Sequence, residues 1–292
     1  MLVANNTPIE KYLLHERLIW VKREDLCCPY PGPAFSKVRG LSAHLKVLSE
    51  NGILSVGVIS TLVSKAGWGT AYISQPLNMK CYNFYPRSGR EDVPVKEYCG
   101  MSEEFGGIQV DLTNTRGSIF WHRAKKYLSE HEDGHFEMLT HHLKLQETIV
   151  ETAAEFCRTI EAWGKFPSTI IIPVGSGTIC AGVLSGIEQT STGKKHLTCK
   201  VIGVTATKDV DEDRRRASII KAANVHVGSM FDAINHFEVV KTYRAYMEPV
   251  SRNTSPFPCN PWYDAKAWEW LDNSIAAGNQ LDEPVLFWNI GS

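Results

Sequence analysis

No apolar run in the 292 residues reaches the roughly eighteen needed for a membrane-spanning helix, so none is expected. The first residues, Met1-Leu-Val-Ala-Asn-Asn6, carry no basic segment leading into a long apolar one, which argues against a secretory leader. No Cys-x-x-Cys pair occurs among the eight cysteines, at 27, 28, 81, 99, 157, 180, 199 and 259. Their scatter argues against a disulfide framework and reads as reduced thiols packed inside a cytoplasmic protein. Charge of one sign is not in excess either. Lys and Arg number 31 against 32 Asp and Glu, a formal net charge of −1, so no global field favours nucleic acid or an anionic membrane. Internal repeats and low-complexity tracts are missing. So is a complete dinucleotide fingerprint, because Gly175-Ser-Gly177-Thr-Ile-Cys180 has Cys where a third Gly or Ala belongs.

What is present fits an ordinary globular chain. Hydrophobic residues make up 43% and charged residues 22%, and the length suffices for a large core and two lobes. Apolar runs and helical periodicities alternate along the chain. Strands are expected at 18–25, 53–59, 81–85, 108–112, 170–172, 200–205 and 283–292. Helices are expected at 37–50, from Trp68 to Ile73, and at 93–105, 119–128, 143–163, 179–188 and 259–277. Asp209 to Arg216 reads as a solvated loop or helix face. Strand–helix alternation predicts an α/β fold with mainly parallel twisted sheets flanked by helices. The expected division places 1–45 with 151–292 in a larger, cofactor-binding lobe and 46–150 in a smaller, substrate-side lobe.

Two local features bear on chemistry. Ile170 to Ile172 form an apolar run that enters Gly175-Ser176-Gly177-Thr178 and then a helix. Strand, glycine-rich turn and helix start form a site for one phosphate. Glycines let backbone N–H groups approach the anion, Ser176 and Thr178 add hydroxyl donors, and the helix N-terminus supplies positive partial charge. A tight turn in any α/β protein reads the same way. The second feature is Lys37, placed in the first turn of a helix with Ser36 as its expected N-cap. The dipole there disfavours an ammonium and lowers its pKa, as an amine nucleophile needs. Local sequence leaves open a solvated surface lysine. His131, His135, His141 and His142 cluster, but Gly134 interrupts them and they follow no ligand order, so no metal is expected.

Several segments, in order, resemble one family. Thr7-Pro8-Ile9, Val21-Lys-Arg-Glu-Asp25 and Phe35-Ser-Lys37-Val-Arg39 are similar to its first strand and Schiff-base lysine. Pro173 to Gly182 resembles its phosphate loop, Asn260-Pro-Trp-Tyr263-Asp264-Ala-Lys266 its late Pro-x-Tyr-x-Gly-Lys segment, and Val285 to Gly291 its last strand. The family is that of fold type II, tryptophan-synthase-β-like pyridoxal-phosphate enzymes, in the branch of 1-aminocyclopropane-1-carboxylate deaminase and D-cysteine desulfhydrase. The resemblance implies pyridoxal 5′-phosphate as cofactor and Lys37 as the lysine that bonds it. It further implies Gly175, Ser176, Gly177 and Thr178 as the phosphate site, Asp264 as partner of the pyridine nitrogen, Tyr263 as proton donor or substrate contact, and a homodimer. Asp264 also reads as a helix-capping carboxylate.

The sequence departs from that family where substrate is chosen. Ser60-Thr61-Leu-Val-Ser64-Lys65 has no Asn. Ser60, Thr61 and Ser64 are candidates for a substrate carboxylate and Lys65 for the cofactor's phenolic oxygen. The leading expectation is a lyase or deaminase acting at Cα or Cβ of an amino acid or amino-acid-like amine. The alternatives are β-replacement or decarboxylation, possibly on an amino acid attached to a larger molecule, and a non-catalytic ligand-binding relative. A phosphosugar or nucleotide enzyme using only the phosphate loop is a further rival.

Overall fold

A computed structural model describes residues 3–61, 63–87, 96–191, 199–227 and 236–292. The chain runs β1 (Ile9–Leu14), β2 (Arg17–Arg23), α1 (Val38–Glu50), β3 (Ser55–Ile59), α2 (Ala66–Ser74), β4 (Lys80–Arg87) and α3 (Lys96–Glu104). It continues with β5 (Gly107–Thr113), α4 (Gly117–His131), β6 (Phe136–Met138), α5 (Gln146–Trp163), β7 (Thr169–Val174) and α6 (Thr178–Ser191). It ends with β8 (Lys200–Thr205), α7 (Glu212–Val227), β9 (Phe237–Val240), α8 (Asp264–Ala276) and β10 (Val285–Asn289).

Two sheets result. The first has the order β1-β2-β10-β7-β8-β9 and the second β5-β4-β3-β6. Among the described strands the β1–β2 pair is antiparallel and the other pairings are parallel; an isolated antiparallel bridge joins Phe35 to Gly291. This is the expected α/β class. The sequence explains the centre of the first sheet. All of β7 is buried, which suits its run of β-branched residues between flanking helices. Ile170 and Ile172 join one core with Phe156, Leu184 and Trp288, and Ile171 joins another with Trp268 and Phe287 on the opposite face. Each such fully buried side chain contributes about 1.5–3 kcal/mol.

Some element edges differ from expectation. Three strands escaped the pattern. β1 begins just after Pro8, while β6 and β9 have three and four residues, too short to show a period. The helix expected from Leu143 starts at Gln146, because His142 and Leu143 have φ of 63° and 50° and break the turn. α7 extends well beyond Arg216. The first residues of the helix expected over 93–105 lie outside the described residues. α1 starts one residue later than expected: Lys37 is its N-cap, and Ser36 Oγ is buried without a hydrogen-bond partner. Residue 45, the expected lobe boundary, falls inside α1. That helix packs closely on α5, for a Cβ at Gly40 would stand 2.2 Å from the backbone of Thr148. Among the described residues no helix is long and apolar enough to cross a membrane.

Candidate active site

The carboxyl ends of β3, β7, β8 and β10 converge on one cavity of about 250 Å³. Such ends are where open parallel sheets hold ligands, because helix N-termini and short turns meet there. The glycine-rich turn after β7 forms one wall. Gly177 has φ of +87°, a conformation that costs a side-chain-bearing residue, and a Cβ there would also strike Ile219 at 2.4 Å. Ser176 Oγ and Thr178 Oγ1 lie 3.0 Å apart. All four predicted turn residues line the cavity.

Lys37 reaches the same place from the other side. Its Nζ donates to Ser176 Oγ at 2.9 Å and to the carbonyl of His142 at 2.6 Å. Neither partner carries an anionic charge. Loss of hydration, with the charge of Lys144 nearby, lowers its pKa to about 7. The side chain is thus no ordinary surface lysine: part of the amine is unprotonated near neutrality. The His142 carbonyl is held by two successive non-glycine residues in the left-handed region, each costing about 1–3 kcal/mol. A further buried lysine of this region, Lys266, points elsewhere. Its Nζ donates to the carbonyls of Ala206, Ala245 and Tyr246 at 2.9, 2.8 and 3.1 Å, and it is not part of the cavity lining.

Asp264 opens α8 and is 1% exposed. Its Oδ1 accepts the Ile290 N–H at 2.6 Å, and its Oδ2 is buried with no partner. Burial pushes its carboxyl well above the usual range, more than the Ile290 bond and Lys65 lower it. A buried carboxyl with an orphaned oxygen at the cavity wall is costly unless a ligand completes it. A ring nitrogen would complete it, and with backbone and hydroxyl donors at the glycine turn and a free amine at Lys37 the residues present fit pyridoxal phosphate. Tyr263 stands beside Gly175, where a Cβ would lie 3.2 Å from its ring. Burial, and then Tyr246, raise its hydroxyl pKa well above normal, so it keeps its proton. A short hydrogen bond joins it to Tyr246, whose hydroxyl lies 3.4 Å from Thr61 Oγ1.

Of the substrate candidates, Thr61, Ser64 and Lys65 line the cavity. Ser64 Oγ accepts the Ala66 N–H at 3.2 Å, and Lys65 Nζ donates to the carbonyl of Ser292. Ser60 is fully buried and outside the lining, since it follows β3 on the inward side of the strand. Sequence reasoning missed Tyr246, Arg215 and Thr205, which also line the cavity. They sit in segments without a motif, and only β8 gave a signal, as a strand whose carboxyl end must point at the site. The four clustered histidines do not form a metal-holding group among the described residues. His131 stacks on Tyr127, while His141 and His142 pack on each other.

Comparison with known proteins agrees with this geometry. The chain matches the family described as pyridoxal-phosphate dependent enzyme over residues 2–254. A protein of Pseudomonas phage M6, glycyl-dTMP PLP-dependent decarboxylase, is 37% identical over 293 residues, spanning 99% of this chain and 100% of that one. The solved structure of an ACC deaminase homologue has a TM-score of 0.79 at 16% identity, covering 100% of this chain and 90% of the other. Threonine deaminase isoform 2 from Solanum lycopersicum gives 0.66 at 17% identity, with 99% and 84% covered. Likeness at such low identity speaks for the fold alone. The profile match and the full-length phage relative carry the conclusion that this chain belongs to the pyridoxal-phosphate-dependent enzyme family, with the tryptophan-synthase-β-like fold and pyridoxal phosphate as its cofactor.

Proposed function

We propose that this enzyme decarboxylates a glycine unit carried on a thymidine nucleotide. The observation that carries the reading is the phage relative, whose name states that reaction and whose 37% identity runs nearly end to end. It favours the expected alternative, decarboxylation on a larger carrier, over a lyase or deaminase acting on a free amino acid.

The residues divide the work as follows. Lys37 would hold the cofactor's aldehyde carbon, Gly175 to Thr178 its phosphate, and Asp264 its ring nitrogen. When bound, the cofactor supplies an electron sink for the pair left at Cα when a bond there breaks. Asp264 strengthens that sink. Burial raises its pKa, and a ring nitrogen at the orphaned Oδ2 would give the carboxyl the partner it lacks. That favours loss of carbon dioxide from Cα, which needs the full sink. Lys37, whose pKa burial lowers to about 7, would be suited to returning a proton to Cα. Tyr263 keeps its proton and acts as donor, held in place by Tyr246. Thr61 and Ser64 would orient the substrate's carboxylate and Lys65 would meet the cofactor's phenolic oxygen, while Ile59 and Val63 beside them exclude water.

The two sheets support a larger lobe of 1–45 with 151–292 and a smaller one of 46–150, with α1 as the bridge between them. A cytoplasmic homodimer completes the proposal. The test is incubation of the holoenzyme with thymidine 5′-monophosphate bearing carboxyl-labelled glycine. Labelled carbon dioxide and a nucleotide-borne amine are expected. Release of ammonia or a keto acid, with the label retained, returns the reading to a lyase or deaminase.

A further inference from the structure

Two cavities meet at the glycine-rich turn. One is the cofactor cavity. The other, of about 120 Å³, lies against Ser176, Gly177 and Thr178 and is lined also by Lys144, Gln146 and Ser218. Cations gather where the two meet. Burial, and then the neighbouring His141, Lys37, Lys144 and Arg215, push the His142 imidazole down to about 3, so it is neutral, and Lys37, lowered first by burial, also feels the charge of Lys144. Arg215 lines the cofactor cavity, and its guanidinium lies 3.5 Å from the carbonyl of Ser176.

Apart from Asp264, neither lining contains a carboxylate. Among the described residues, no carboxylate pairs with Lys144, Arg215 or His142. Nearby cations behave differently: Lys241 pairs with Glu212 at 3.1 Å and Arg244 with Glu269 at 2.6 Å. Like charges held together without an acid destabilise the protein unless an anion joins them. The turn's own backbone and hydroxyls serve one phosphate, that of the cofactor. Lys144 lies outside the cofactor cavity's lining and belongs to the second cavity, so the cationic group extends past that phosphate.

The geometry points to a second anion subsite, formed by Lys144 and Arg215 with His142, that takes the 5′-phosphate of a nucleotide-borne substrate. It rests on the nucleotide reading above and adds where the carrier is held. An ammonium and a guanidinium suit a phosphomonoester dianion, with the imidazole as a further donor. Two cationic groups match the charge of one dianion, and the imidazole, being neutral, adds a donor without charge.

The test titrates the holoenzyme with thymidine 5′-monophosphate, with thymidine and with inorganic phosphate, using wild type, Lys144→Gln, Arg215→Gln and the double variant. Cofactor affinity is followed by absorbance on the same samples. Each single change is expected to weaken monophosphate binding about tenfold, and the double change more than either, with thymidine and cofactor affinities within about twofold. A loss of cofactor affinity with unchanged monophosphate binding overturns the subsite and assigns the cations to the cofactor's phosphate. Equal monophosphate binding by wild type and double variant overturns it as well. Wild type that binds inorganic phosphate through these residues but ignores the monophosphate supports an anion subsite and sinks the nucleotide reading instead. Preference for an oligothymidylate by more than tenfold overturns the assignment to a mononucleotide.

Discussion

Two regions of this molecule are built from the same residue types and use them in opposite ways. Beneath α1 lies a buried ion cluster. Lys22 Nζ donates to Glu155 at 2.6 Å, and Arg39 grips Glu24 with two bonds of 2.8 and 2.9 Å. Arg158 closes the far side of Glu155 at 2.9 Å, and Thr7 bonds both acids. Burial pushes the Glu24 carboxyl up, but Arg39 and Lys22 hold it below the usual range. Every charge there has a partner. A few residues away, the cavity holds Lys37 among neutral acceptors and Asp264 with an orphaned oxygen. Arg39 stands two residues after Lys37, so the satisfied cluster fixes the helix end that presents the unsatisfied amine. Completed charges make a rigid footing, and incomplete ones at the cavity make a site that a ligand must finish.

The sharpest test of this contrast is Lys37→Ala. It should reduce activity by more than about 10³-fold and abolish borohydride-stable attachment of the cofactor, with circular dichroism unchanged. Attachment that persists would remove Lys37 from its role. Glu155→Ala should do the reverse. It removes the carboxylate bonded to buried Lys22, Arg158 and Thr7 and should lower unfolding free energy by about 3–5 kcal/mol in urea melts. A loss under 1 kcal/mol would mean the cluster is no footing. Asp264→Asn should slow turnover by about 10²-fold while the cofactor-free protein melts no lower than wild type, since an amide replaces an orphaned carboxyl. An unchanged rate would separate Asp264 from the chemistry.

The pH dependence is smaller and its sign follows from the lowered pKa of Lys37. In the cofactor-free protein its stabilising contribution is full above the ordinary lysine range and is lost as pH falls through about 7. Lys37→Met should flatten that part of the melting-temperature profile, and an identical slope would contradict the shift. The smallest effect is expected from Lys46→Ala, which removes an exposed pair with Glu50 at 4.0 Å. It should change stability by less than about 0.5 kcal/mol.

Much of the fold was legible because strand and helix periodicities are local. The buried run of β7, the amphipathic face of α1 and the glycine turn lie within contiguous residues. β6 and β9 were not legible, because strands of three and four residues carry no period and form only by pairing with β3 and β8. Ser36 looked like a cap, yet its hydroxyl is buried and Lys37 takes the position. Within the site, Tyr246 and Arg215 gave no signal, since the loop and helix that carry them have no motif.

By itself the sequence determined the α/β class, the resemblance to pyridoxal-phosphate enzymes and the place of the glycine-rich turn after β7. Each rests on short stretches whose backbone preferences and side-chain chemistry are set by neighbours in the chain. Only the tertiary structure decided that Lys37 meets Ser176 across 139 residues, that Ser60 turns away from the cavity, and that one oxygen of Asp264 is left dry. Hydration and charge at a point depend on everything packed around it, and that neighbourhood exists only once distant segments have folded together.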